Sequence, residues 1–136
     1  MADTPAPPRP LVTEAAKPFW TGLQGNHVVI QRCGNCHSWV WYPRERCTTC
    51  LSDDLRWTEV SGRATVYTYT VARSPTMPAF ADDTPQLLAI VELDEGVRLT
   101  TTLADVAPED VRIGMAVAPV FDHGSDGITL LRYRPA

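Results

Sequence analysis

The chain has 136 residues, 44% of them apolar and 21% charged, with a net charge of −4. That supplies a core for one compact domain, or for a small module joined to a slightly larger one, while the acidic balance argues against a nucleic-acid partner, whose phosphates need a basic face. No apolar run approaches the ~20 residues of a membrane span, and "MADTPAPPRP" has acid and proline where a signal peptide has a basic start and an apolar stretch, so a cytoplasmic protein without membrane attachment is expected.

Residues 1–12 hold four prolines and nothing periodic, and read as a flexible tail. Residues 13–26 read as a helical lead. In "TEAAKPFWTGLQ" Thr13 can cap, Glu14 suits a first turn and Gly25 follows as a stop. Pro18 predicts two short helices or one kinked helix. Phe19, Trp20 and Leu23 make an apolar stripe at helical spacing, which serves either a core or a surface that docks on another protein. "HVVIQR" (27–32) predicts a strand that runs into a cysteine-rich ribbon ending at residue 56. "WTEVSGRATVYTYTVAR" (57–73) predicts one long strand bent at Gly62, with Tyr67 and Tyr69 on one face. Strands follow at 86–93, 97–103, 115–121 and 127–133, with a hairpin turn at Asp94, Glu95 and Gly96 and a helical turn from Pro108 to Gly114. Residues 57–136 thus read as a five-stranded module, and the chain as mostly β.

All four cysteines lie in "CGNCHSWVWYPRERCTTC", as two C-x-x-C pairs, Cys33 with Cys36 and Cys47 with Cys50. Two residues between thiolates let a tight turn aim both sulfurs at one metal ~2.3 Å away, and two such turns complete a tetrahedron. A reducing compartment favours metal over disulfides. Tetrathiolate sites take zinc or iron; rubredoxin-type iron sites tend to have glycine directly after each second cysteine, where this chain has His37 and Leu51. The expectation is one zinc per chain, held by Cys33, Cys36, Cys47 and Cys50. A closed site of this kind leaves no position for substrate, so its role is structural. Between the pairs, Trp39 and Trp41 point to one face of a strand, Val40 and Tyr42 to the other, which predicts packing on both sides.

Nothing matches a nucleophile elbow, a P-loop or a dinucleotide fingerprint. His27, His37 and His123 have no carboxylate at a telling spacing, and "DHGSD" (122–126) has the composition of a turn. No catalytic residue is expected. The segment "RSPTMPAFADDTPQ" (73–86) is too long for a simple hairpin and holds three prolines, so it reads either as a mobile surface loop or as one ordered for function.

Taken in order, these segments resemble a known family. They are similar to acyl-CoA-associated proteins that join a rubredoxin-like zinc ribbon to an OB-fold, once catalogued as a domain of unknown function. The matching stretches are "KPFWTGLQGNHVVIQRCGNC", "EVSGRATVYTYTV", "AIVELDEGVRLTTTLADV" and "VRIGMAVAPVF". Departures are His37 in place of a frequent glycine, Pro43 alone where a proline pair is common, and Pro85-Gln86 where the loop often ends Pro-Tyr. The resemblance implies a five-stranded OB barrel over residues 57–136. It also implies a non-catalytic accessory subunit, in a hetero-oligomer with a thiolase-like or aldolase enzyme. The enzymes in view are a thiolase or a sterol-carrier-protein-thiolase-type aldolase of steroid side-chain degradation, with acyl-CoA near the shared interface. On that expectation Phe19, Trp20 and Trp39 face the partner, while Arg73, Met77 and Phe80 face CoA or substrate. The rival is a binder of single-stranded nucleic acid, which OB barrels often are, with Tyr67 and Tyr69 as stacking rings.

Overall fold

The computed structural model describes residues 6–136. It contains one helix, α1 (Lys17–Gln24), and eight strands: β1 (Val28–Cys33), β2 (Trp39–Val40), β3 (Leu55–Val60), β4 (Ala64–Ala72), β5 (Gln86–Leu93), β6 (Arg98–Thr102), β7 (Ala116–His123) and β8 (Thr129–Pro135). Short 3₁₀ segments lie at Pro78–Asp83 and Pro108–Asp110. Among the described residues no helix is long and apolar enough to cross a membrane.

The strands make two sheets, β2-β1-β3 and β6-β5-β4-β7-β8. The second curls until its ends meet: Leu103, just past β6, bridges Tyr133 of β8 in parallel, and the Ala104 N–H donates to the Tyr133 carbonyl at 2.7 Å. Closure removes the open edges that would otherwise invite pairing with another chain. This is the expected five-stranded OB-fold barrel.

Two expectations need correcting. Residues 57–73 are not one bent strand. β3 pairs along its whole length with β1 in the ribbon sheet, whereas β4 pairs with β5 and β7 in the barrel. The chain changes sheets at Gly62, whose φ of 79° suits glycine. A Cβ there would come within 3.1 Å of Pro119 Cγ and 3.3 Å of Val28 Cγ2, so glycine also permits close packing. Secondly, Tyr67 and Tyr69 do not share a face. A bulge between Val66 and Thr68 interrupts the two-residue alternation of β4. Tyr67 is left exposed beneath the Arg98 guanidinium (3.9 Å from the ring centroid), and Tyr69 packs on the core with its hydroxyl 3.4 Å from the Val111 carbonyl.

Pro18 begins the helix rather than breaking it. It sits in the first turn, where its missing N–H costs nothing. Thr13 accepts a bond from the Ala16 N–H (3.3 Å), closing the turn before α1 and not capping the helix itself. Gly22 seats α1 on β1, since a Cβ would stand 3.1 Å from Val29 Cγ2 and 3.2 Å from the His27 carbonyl. Phe19 and Leu23 enter one continuous core with Val28, Ile30 and Val60 of the ribbon sheet and Val66, Val91, Leu99, Val117 and Tyr133 of the barrel. Each such side chain contributes about 1.5–3 kcal/mol by leaving water. Of the stretch expected as a tail, residues 1–5 lie outside the described residues. Arg9 grips Asp126 through Nε and Nη2 (2.7 and 3.1 Å), at the β7–β8 turn.

Candidate metal centre and binding surfaces

β1 ends on Cys33, and both C-x-x-C pairs fold as the same turn. In the first, the Cys33 N–H donates to the Ser38 carbonyl (2.9 Å) and the His37 N–H to the Cys33 carbonyl (3.0 Å). In the second, the Cys47 N–H donates to Ser52 (2.9 Å) and the Leu51 N–H to Cys47 (3.0 Å). His37 and Leu51, each directly after a second cysteine, both have φ of 64°. That left-handed conformation is the one glycine takes freely. Their side chains therefore do not change the shape of the knuckle, and the missing glycines do not separate zinc from iron.

The four sulfurs lie within 4.8 Å of one another. Cys33 to Cys50 and Cys36 to Cys47 are each 3.6 Å apart. A tetrahedral site with ~2.3 Å bonds needs sulfurs about 3.8 Å apart, whereas a disulfide needs about 2.05 Å. The spacing fits one metal ion and no disulfide. Backbone N–H groups support thiolate character: those of Asn35 and Cys36 approach Cys33 Sγ (3.4 Å each), and that of Thr49 approaches Cys47 Sγ (3.3 Å). Asn35 Nδ2 reaches across to Cys50 Sγ at 3.5 Å. That amide, with the Ser52 N–H, holds the Cys50 thiol down at about 6. The Cys50 and Thr49 N–H groups likewise lower Cys47. At Cys33 the Cys36 N–H pulls down, but burial leaves the thiol raised.

Spacing alone gave no sign of the group that holds the chain between the knuckles. Gln31, buried on β1, donates from Nε2 to the Arg44 carbonyl and accepts from the Arg44 N–H, both at 2.8 Å. Val40 packs with Cys33 and Cys47, while Trp39 and Trp41 pack against the main core. The expected alternation thus holds at Trp39 and Val40 but not at Tyr42, which is 51% exposed, with its ring 5.6 Å from that of Trp41 and lining the same cleft as that ring instead of packing with Val40.

Of the residues expected to meet a partner, Phe19 is core, only 6% exposed, with its ring 5.2 Å from Trp20 and 4.9 Å from Trp41. Trp20 and Trp39 are partly buried. Phe19, Trp20, Trp41, Tyr42 and Leu131 line a cleft of about 630 Å³ between the helix and the barrel. Phe80 lines a second cleft of about 660 Å³ together with Arg9 and Arg132, and the two clefts share Thr102, Leu130 and Arg132. Arg73 and Met77 are exposed and do not line that cleft. Two histidine pairs also escaped spacing analysis because they form across strands and loops. His27 Nδ1 lies 2.7 Å from Glu59 Oε1, and His123 bridges Thr129 (2.8 Å) and Asn26 (2.7 Å). The first pair is solvent-exposed. In the second, the Thr129 hydroxyl stands beside a base as a nucleophile would, but Thr129 is only 2% exposed and so is not presented to a substrate.

A four-cysteine knuckle pair and a closed barrel sharing one core define a metal-ribbon/OB-fold protein. Residues 20–56 match the ChsH2 rubredoxin-like zinc ribbon domain, and residues 57–122 match the ChsH2 C-terminal OB-fold domain. The chain is 36% identical over 122 residues to a DUF35 domain-containing scaffold protein of Methanocaldococcus jannaschii, covering 85% of each chain. The chain therefore belongs to the DUF35 family of ChsH2-type zinc-ribbon/OB-fold proteins. It is also 36% identical over 129 residues to a probable enoyl-CoA hydratase alpha subunit of Thermomonospora curvata, covering 95% of this chain but 40% of that longer protein. A 3-oxo-4,17-pregnadiene-20-carboxyl-CoA hydratase alpha subunit of Mycobacterium tuberculosis is 31% identical over 119 residues, 37% of its length. A solved structure described as Ltp2-ChsH2(DUF35) aldolase superposes with a TM-score of 0.84 at 35% identity, over 93% of this chain and 98% of that one. The four-cysteine cluster and the zinc-ribbon match together point to a bound zinc ion.

Proposed function

We propose that this chain is a non-catalytic subunit that binds and stabilises a thiolase-like or aldolase enzyme acting on CoA thioesters. The observation that carries the reading is the structural match, at 98% coverage, to a DUF35 chain of an aldolase complex. The scaffold and alpha-subunit names of the relatives support it, and the steroid-derived acyl-CoA in the name of the mycobacterial relative supports steroid side-chain degradation as the setting. One zinc, held by Cys33, Cys36, Cys47 and Cys50, serves the fold. When bound it supplies cross-linking and not Lewis acidity to substrate, because four thiolates leave no open position. Trp20 and Trp39, partly buried aromatics at the ribbon–barrel boundary, are proposed to meet the enzyme. Phe80 in its cleft, with Arg73 and Met77 on the exposed loop, is proposed to face CoA or acyl chain. The nucleic-acid reading is disfavoured by the net charge of −4 and by the bulge that separates Tyr67 from Tyr69.

The test is co-expression with a thiolase-like or aldolase enzyme of the same organism. Tagged chain should bring that enzyme through affinity and size-exclusion steps as one hetero-oligomer. Separate elution of two well-folded proteins at micromolar concentration would sink the proposal.

A further inference from the structure

Each knuckle is preceded by an arginine, Arg32 before Cys33 and Arg46 before Cys47. Arg32 Nε donates to the His37 carbonyl at 3.1 Å, and Arg46 Nη1 donates to the Leu51 carbonyl at 3.2 Å. Both bonds span five residues, and both end on the residue that follows the second cysteine with φ of 64°. Arg32 is further fixed by lying 4.8 Å over the Trp39 ring. Two knuckles that share only Arg-Cys-x-x-Cys-x-Ser have thus placed an arginine on the same carbonyl.

We propose that Arg32 and Arg46 are matched positioning residues that clamp the two knuckles in their metal-binding shape. A non-glycine residue in the left-handed region opposes the turn. A charge-assisted bond to the carbonyl of that same residue, stronger than a neutral one, offsets the opposition. The chain does with arginine at the start of the knuckle what glycine would do at its end. The inference rests on metal binding by the four cysteines, and its test uses a metal supplied in vitro, so that it stands apart from whether the native ion is zinc.

The full chain is stripped, reloaded with cobalt(II), which reports tetrathiolate ligation by its absorption, and mixed with excess EDTA; the loss of that absorption gives the release rate. Arg32→Met and Arg46→Met should each speed release by about fivefold, the effect expected of one charged hydrogen bond. His37→Gly should restore the rate in the Arg32→Met background by more than it alters the wild-type rate. Leu51→Gly should do the same for Arg46→Met, and the crossed pairs should show no such coupling. If Arg→Met protein does not retain metal, the same cycle is read with Arg32→Lys and Arg46→Lys refolded with cobalt(II). Release rates equal to wild type in the arginine variants, or coupling as large in the crossed pairs as in the cognate ones, would overturn the proposal.

Discussion

Tyr133 is fully buried at the barrel closure, and its hydroxyl donates to the Gly62 carbonyl at 2.8 Å, where the chain passes from ribbon to barrel. Tyr133→Phe leaves that carbonyl without its partner and should cost about 1–3 kcal/mol, read from chemical denaturation of the metal-loaded protein. An unchanged midpoint would show that water replaces the hydroxyl. Burial, aided by the charge of Glu95, raises the Tyr133 pKa. A raised folded-state pKa means stability is full below the unfolded value of about 10 and falls as pH rises beyond it. The phenylalanine variant should lack that alkaline loss. Gly62 was legible in sequence as a bend. That the bend hands the chain to another sheet was not, because no local pattern records which strand a strand will pair with.

At the scale of elements, the ribbon is held by its metal ligands and by Gln31. Cys47→Ser removes a buried ligand. Structural zinc contributes on the order of 10–16 kcal/mol, so this variant should lose the metal and become insoluble or partly unfolded. A folded, zinc-containing Cys47→Ser protein by elemental analysis and circular dichroism would contradict the assignment. Gln31→Ala strands the Arg44 N–H and carbonyl and should lower the ribbon's stability by about 1–3 kcal/mol, seen as faster amide exchange over residues 41–46; exchange as slow as wild type would deny the anchor its role. The cysteines were legible because two-residue spacing in a knuckle is a geometric requirement of one metal. The Gln31 anchor was not, since its partner is backbone and any residue but proline at position 44 would supply it. The β4 bulge did leave a trace in "ATVYTYTVA": the core-facing phase passes from Ala64 and Val66 to Tyr69 and Val71 across the adjacent pair Val66–Tyr67, where the pairing with β5 slips by one residue.

For the molecule as a whole, the shared core has a consequence for unfolding. α1 and β1 bury side chains among those of the barrel, so ribbon and barrel should melt in one transition, and chelation should lower the melting of the barrel as well. Two separate calorimetric transitions, with only the first moved by EDTA, would mean the two parts fold apart.

The central claim is that this chain completes an acyl-CoA enzyme without doing chemistry itself. The decisive assay is cleavage or condensation of a CoA thioester by a thiolase-like or aldolase enzyme of the same organism that co-purifies with the chain, with and without purified, zinc-loaded chain. The account predicts no turnover by the chain alone, together with low or short-lived turnover by the enzyme alone. Activity should then rise to a plateau as the chain is added and a complex forms. Full, stable activity of the isolated enzyme with no complex on adding the chain, or turnover by the chain on its own, would contradict it.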